Sequence, residues 1–295
     1  MISAAAVESP RVRRRGQIYV ALAALAWSSA GVLQRELDVD TATQVFGRAV
    51  FAAIALLAFV VVSEHRGVIE PFASMGRAEL AVAVCTAIAS GTFIVALNHT
   101  TVANVLFMQA AAPIFAALIA WVALHEAVTR RTAVAMTVAV GGVCVMVGGP
   151  GGSANLGIGL SVVMTLAFAV AVVITRHRRD ISMAPAICIS QVIVILVSAP
   201  FAKPSTIGAH DLLLLALLGV CQMGLGLAFL TIGARLIPAA EVALITLLEV
   251  VLGPLWVWIA FSERPSTATL IGGAIVVLAV VLQAGGDELQ PADTS

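Results

Sequence analysis

The amino-acid sequence predicts an all-α membrane protein of ten transmembrane helices, arranged as two inverted five-helix repeats. Three observations predict it. Hydrophobic residues fill 61% of the 295 positions and charged residues only 11%, with a mean hydropathy of +1.07. A soluble domain carries about 25% charged residues, so this chain has too few to cover a surface facing water. The apolar residues gather into ten runs, each close to the roughly 20 residues that cross a hydrocarbon core. Finally, the second half of the chain resembles the first.

The ten runs cover about 17–35, 42–63, 79–98, 101–123, 130–148, 156–175, 183–202, 211–234, 238–261 and 267–284. The connectors are short and rich in turn-forming residues: Asp38-Val39-Asp40, Gly149-Pro150-Gly151-Gly152, Lys203-Pro204-Ser205 and Glu263-Arg264-Pro265-Ser266. Between the third and fourth runs stand only His99 and Thr100. Arg11, Arg13, Arg14 and Arg15 precede the first run as they would a secretory signal. Its apolar stretch, however, continues from Ile18 to Leu33 and more spans follow, so it reads as a first transmembrane helix. Residues 1–15 and 285–295 read as polar cytoplasmic tails.

Lysine and arginine set the direction of insertion. With the N-terminus in the cytoplasm, twelve fall on that side: Arg11, Arg13, Arg14, Arg15, Arg66, Arg77, Arg130, Arg131, Arg176, Arg178, Arg179 and Arg235. Arg35, Lys203 and Arg264 fall on the other side, and Arg48 lies inside a span. The bias places both termini in the cytoplasm, the membrane being a bacterial-type inner (plasma) membrane. It also supports the count of spans, since one missed span would put the later clusters on the wrong side.

Several function classes find no support in these residues. A net charge of zero gives no field to attract nucleic acid. Cys85, Cys144, Cys188 and Cys221 all fall in apolar runs without CxxC spacing, so they are expected as small buried hydrophobes rather than disulfides or metal ligands. The chain has no HExxH pair, no GxSxG elbow and no Walker sequence. Neither enzymatic activity, nor a cofactor, nor a resident metal is expected.

The repeat is read from matched positions. Ala112-Pro113-Ile114-Phe115 leading to Trp121-Val122-Ala123-Leu124-His125-Glu126 finds a counterpart in Glu249-Val250-Val251-Leu252 leading to Trp258-Ile259-Ala260-Phe261-Ser262-Glu263, at a shift of 137. Thr129 maps onto Ser266 at the same shift. Around the first and sixth runs the shift is 141, with Gly16 on Gly157, Trp27 on Phe168 and Arg35 on Arg176. Residues 16–149 and 150–284 are therefore expected to form the two repeats. Five spans per half, an odd number, insert the second half in the opposite sense, an arrangement that places a substrate site near the midplane between halves.

Ten spans, the helix ends His125-Glu126 and Ser262-Glu263, and the glycine pairs Gly141-Gly142 and Gly272-Gly273 of the following helices resemble the EamA-type drug/metabolite transporters. The resemblance covers essentially the whole chain and is strongest toward bacterial amino-acid exporters, the aromatic amino-acid group included. It implies a carrier for amino acids, purines or other metabolites. One motif departs: the family's Glu-Pro of the ninth span is Glu249-Val250 here, and proline comes later, at Pro254.

Polar groups inside the spans are the candidates for solute contact, because a charge at a helix centre costs roughly 2.5–3.5 kcal/mol on insertion scales. Glu249 lies near the middle of the ninth run, where it would hold an ammonium group or exchange a proton, or else tie helices together by hydrogen bonds. Arg48, near the start of the second run, would bind a carboxylate or snorkel to the interface. Gln109, Gln191 and Gln222 would bond solute or neighbouring helices. Trp27 is deep enough in the first run to wall a binding site, or to pack on its neighbours. Glu241 is expected as an exposed or capping group and His99 as a loop residue. Glu126 and Glu263 are expected to cap or pair locally, and Trp121, Trp256 and Trp258 to anchor at the interfaces. Pro113, Pro185 and Pro254 can kink helices and free backbone carbonyls.

Together these features lead to an expected secondary transporter. It would export small metabolites, amino acids above all, by alternating access through a cavity between the repeats. Purines or other metabolites are the alternative within transport, and a non-transporting membrane subunit or a membrane-embedded enzyme are the alternatives outside it. The partners expected are a small-molecule substrate and the lipid bilayer, with the chain acting as a monomer.

Overall fold

A computed structural model describes residues 10–63, 70–125, 130–147, 155–178, 183–237 and 239–287. Its first span is divided into α1 (Pro10–Ser28) and α2 (Ala30–Arg35), and α3 (Thr41–Ser63) is the second. A short helix, α4 (Glu70–Ala73), precedes the third span, α5 (Arg77–His99). The fourth span is again divided, into α6 (Val102–Ala110) and α7 (Ala112–Leu124), and α8 (Arg130–Val147) is the fifth. The sixth and seventh are α9 (Asn155–His177) and α10 (Ala184–Ser198). The eighth begins as α11 (Ala209–Ala216), becomes π-helical over Leu217–Leu225 and ends as α12 (Gly226–Gly233). Helices α13 (Ala239–Phe261) and α14 (Thr267–Asp287) are the ninth and tenth.

Seven of these spans are long and apolar enough to cross a bilayer unaided, and three shorter apolar helices, Ala133–Val145, Ala184–Ser198 and Thr267–Leu282, complete the ten. Their surfaces suit lipid. Large apolar side chains stand exposed along the outside, among them Ile54, Val62, Leu196, Val197 and Ile259. Of the cysteines, Cys188 is buried and Cys85 and Cys221 half-buried, but Cys144 is exposed, against expectation. The reason is the solvent: in lipid an outward-facing thiol meets an apolar medium and has no need of the core.

Local chemistry explains the helix starts. Asp40 accepts bonds from the Ala42 and Thr43 amides at 3.1 Å and from the Thr43 hydroxyl at 2.8 Å, which satisfies free N–H groups at the head of α3. Desolvation raises the Asp40 carboxyl, but the Thr43 bonds and nearby Lys203 outweigh it and hold the group below its ordinary range. Thr101 caps α6 through the Asn104 amide. Pro113 follows the break at Ala111, but Pro185 does not kink a helix. It sits in the first turn of α10, where its missing N–H costs nothing. Pro254 lies inside α13, which runs unbroken past it.

The two halves pack as equivalents. The sixth span (α9) lies on the third (α5) and fourth (α7), while the first (α1) lies on the eighth (α12) and ninth (α13). The seventh (α10) packs on the third, and the second (α3) on the eighth; second pairs with seventh and fifth with tenth. Exchanging the halves leaves this pattern unchanged. Single residues obey it too. A Cβ on Gly16 would collide with Leu236 and Ile237, and one on Gly157 with His99 and Thr100, positions again 137 apart (236 − 99, 237 − 100). Among the described residues only His125 and Ser262 take positive φ outside glycine, at 54° and 56°, and they too differ by 137. Gly142 abuts the Gly272 carbonyl, so α8 and α14 meet backbone to backbone, the close approach that small residues permit in lipid.

Candidate functional site

Arg48 is 4% exposed, which excludes snorkelling to an interface. Its Nη1 donates to the Ser90 carbonyl at 3.3 Å and hydroxyl at 3.2 Å, and its Nη2 faces Gln222 Oε1 at 3.4 Å and Met223 Sδ at 3.7 Å. The guanidinium carbon stands 5.6 Å from the centre of the Phe93 ring, within cation–π range. Ser90 passes the connection on, donating to Gln191 Oε1 at 3.3 Å. Four spans thus meet here: α3 supplies Arg48, α5 supplies Ser90 and Phe93, α10 supplies Gln191 and the π-helical segment supplies Gln222. Gly219 in that segment leaves no room for a side chain against Phe51, Ala52 and the Arg48 carbonyl, which brings the eighth span's backbone against α3.

A second polar cluster lies one turn of α3 away, toward Arg35. Gln44 Oε1 accepts from Gln34 Nε2 and from Asn98 Nδ2, the latter at 2.6 Å, and Gln44 Nε2 donates to the Val39 carbonyl at 2.9 Å. Gln34 is 2% exposed and Gln44 4%, and Gln34 Oε1 has no partner. The spacing of Gln44 and Arg48, four residues, puts both on one face of α3. That spacing was the available sequence signal for the cluster. Ser90, Phe93 and Gln34 carry no signal of their own in an apolar run.

Glu249 stands apart from both clusters. It is 5% exposed, and among the described residues its one side-chain bond is a long one, 3.5 Å from Gln109 Nε2. Among the described residues no basic nitrogen lies within ion-pair distance of it, and the described ion pairs are Arg13–Glu241 and Arg35–Glu263. Trp27 is half-buried, and its indole fills the space where a Gly226 side chain would be. Trp256 bonds from its indole Nε1 to the Ser28 hydroxyl at 3.2 Å, beside the break between α1 and α2. Trp121 and Trp258 are half-exposed, as interfacial anchors are. The candidates therefore fall into an Arg48–Gln222–Gln191 group and a Glu249–Gln109 pair, with Trp27 of the first span packed against the eighth, and no described hydrogen bond joins the two groups.

Two acidic residues differ from expectation. Glu241 is neither exposed nor a simple cap: Arg13 pairs with it, and Gln17 donates to it at 2.9 Å, tying the start of α1 to the start of α13. Glu263 pairs far from local. Arg35 Nε meets its Oε2 at 2.9 Å, while its Oε1 accepts the Val102 amide at 2.8 Å. Arg35 also donates to the Leu97 and Thr100 carbonyls at 2.6 and 2.9 Å. His99 is not a loop residue: it is the last residue of α5, exposed, with its ring Nδ1 2.8 Å from the Val95 carbonyl one turn back. Glu126 and the connector at 149–152 lie outside the described residues.

A cavity of about 590 Å³ opens between α7 and α8, lined by Ile114, Phe115, Leu118, Trp121, Met136 and Thr137 among others. None of the candidate polar residues reaches it. Its lining matches acyl chains better than a polar solute.

Comparison with known proteins bears on the whole bundle. A solved crystal structure, described only as that of a protein, is 15% identical to this chain, with 92% of this chain and 97% of that one covered and a TM-score of 0.64. At that identity it speaks for the fold alone. Comparison with curated proteins finds no match. The model of the EamA-like transporter family matches twice in succession, at residues 14–148 and 155–284. Its two matches share the chain between them much as the packing divides it, and the chain belongs to the EamA-like transporter family, a multi-pass membrane protein of two repeats.

Proposed function

We propose that the protein is a secondary transporter exporting small metabolites, chiefly amino acids of broad range with aromatic ones included, by alternating access between its halves. Glu249 carries this reading. A carboxyl group buried in the ninth span, with no basic partner among the described residues, is costly to hold in lipid, and such groups mark solute or proton pathways. Its single long bond from Gln109 leaves acceptor capacity for a solute ammonium group. The surrounding architecture supports movement. The first and fourth spans are broken at Ser29 and Ala111, and the eighth is π-helical in its middle. Broken helices and π-helical turns of this kind accompany binding sites in carriers.

In this reading Glu249 and Gln109 face the solute, Gln222, Gln191 and Arg48 contribute from the second group, and Trp27 forms an apolar wall. Residues 16–149 and 150–284 are the units that rock. Both termini lie in the cytoplasm of an inner membrane, as the arginine bias supports, and the chain works as a monomer. No catalytic step is assigned to it.

Counterflow in proteoliposomes of the purified protein tests the reading, with labelled amino acids and nucleobases as probes. Uptake driven by a preloaded amino acid supports it. Exchange of nucleobases alone would move the reading to purine export. No exchange of any probe by folded protein would favour a non-transporting subunit.

A further inference from the structure

Arg48 is a buried cation without an anion. No carboxylate oxygen lies within ion-pair distance of it among the described residues. Every acceptor it has is neutral, and the contacts run from 3.2 to 3.7 Å. Charge-assisted bonds from a guanidinium are shorter, about 2.7–2.9 Å. Nε, fully buried, has no partner. Taking an ion out of water costs several kcal/mol that only close, matched partners offset, and here those partners are loose or missing.

The loose contacts are not spread evenly. Nη1 is held by two oxygens of Ser90. The opposite edge, formed by Nε and Nη2, has one bare nitrogen and two long contacts, Gln222 and Met223. On a guanidinium those two nitrogens present parallel N–H bonds, the fork that grips both oxygens of a carboxylate. Both long contacts come from the π-helical segment Leu217–Leu225.

We propose that the Nε–Nη2 edge of Arg48 is the carboxylate-recognition point for the transported solute, and that a docking carboxylate displaces Gln222 and Met223 of the π-helical segment. This rests on the transport reading above and narrows its substrate class to solutes carrying a free carboxylate. Ser90 and Gln191 fix the guanidinium from the far side, and Phe93 stacks beneath it. Because Arg48 is closed off in this conformation, the same displacement that admits the solute shifts the eighth span relative to α3. Recognition and movement would share one contact.

The test is counterflow with L-phenylalanine and L-alanine, each beside its amide and its decarboxylated amine. Wild-type protein should exchange the acids at least tenfold faster than the amides and amines. Arg48→Lys should retain part of that preference, and Arg48→Met should lose it. Thermal unfolding of the purified full chain supplies the control. If Arg48 is held for solute, Arg48→Met unfolds at the same or a higher temperature than wild type, and added L-phenylalanine stabilises wild type but not the variant. A clear drop in unfolding temperature for Arg48→Met would make Arg48 structural and overturn the proposal. Wild-type exchange of amines or amides on a par with acids would overturn it while leaving transport intact. Exchange of nucleobases but of no amino acid would overturn it and shift the substrate reading; absence of all exchange would overturn both.

Discussion

Arg35 and Glu263, 228 positions apart, form a 2.9 Å ion pair that joins the first half of the chain to the second. Their side chains are only 24% and 21% exposed, and each holds backbone as well as its partner. The pair closes the first, third, fourth and ninth spans together at one end of the bundle. In both arrangement and burial it differs from an exposed surface pair, for which coupling is about 0–1 kcal/mol.

A double-mutant cycle measures it. Arg35→Ala and Glu263→Ala, alone and combined, should give a coupling of about 1–3 kcal/mol in unfolding of the detergent-purified protein. Additive losses would mean that each residue serves only its backbone partners.

Gly226 faces the Trp27 indole with no space for a Cβ. Gly226→Ala should therefore cost about 1–3 kcal/mol through overpacking, with a shift in tryptophan emission. Adding Trp27→Phe, which shrinks the ring at the point of overlap, should recover much of the loss. A neutral Gly226→Ala would refute the contact.

Glu249→Gln keeps shape and removes the carboxyl group. Transport of amino acids should fall tenfold or more, while stability changes by less than about 1 kcal/mol or rises, as expected when a buried ionisable group without a basic partner is replaced by a neutral isostere. Retention of wild-type rates would remove Glu249 from the solute path.

The left-handed residues His125 and Ser262 should respond alike. A side chain in that conformation costs roughly 1–2 kcal/mol that glycine does not, so His125→Gly and Ser262→Gly should each stabilise the protein by about 1 kcal/mol. Chemical denaturation of the two variants checks this. Opposite signs would argue against their equivalence as repeat positions.

The spans were legible because lipid imposes length and composition on any helix that crosses it, and the repeat because Trp, Glu and hydroxyl residues kept a common register. The interruptions were not. Ser28 and Ser29 bond back to the Leu25 and Ala26 carbonyls, at 2.8 and 2.6 Å, and two serines in an apolar run do not announce that choice. In the π-helical turn of the eighth span, Gly219 and Gly224 lie against α3, contacts that exist only once the bundle has formed. For the same reason, Arg48 and Glu249 could be picked out as costly residues, whereas their sorting into separate groups depended on which spans pack together. Whether Pro185 kinks a helix or starts one was not legible, because a proline in a first turn and a proline at a kink look identical in sequence.

Among the described residues, the π-helical segment has no counterpart in the other repeat. The third span, which stands where the eighth does in the first half, is regular α-helix from Arg77 to His99. Under the alternating-access proposal, a solute arriving from one side of the membrane would therefore meet a different half-site from one arriving from the other. A carrier without an energy source cannot prefer a direction at equilibrium, so unequal affinities at the two faces must be balanced by unequal maximal rates. Such a protein empties a cell faster than it fills one, or the reverse, only while the solute gradient lasts. The asymmetry of one helix would then appear in kinetics, as two different half-saturation concentrations for the same molecule.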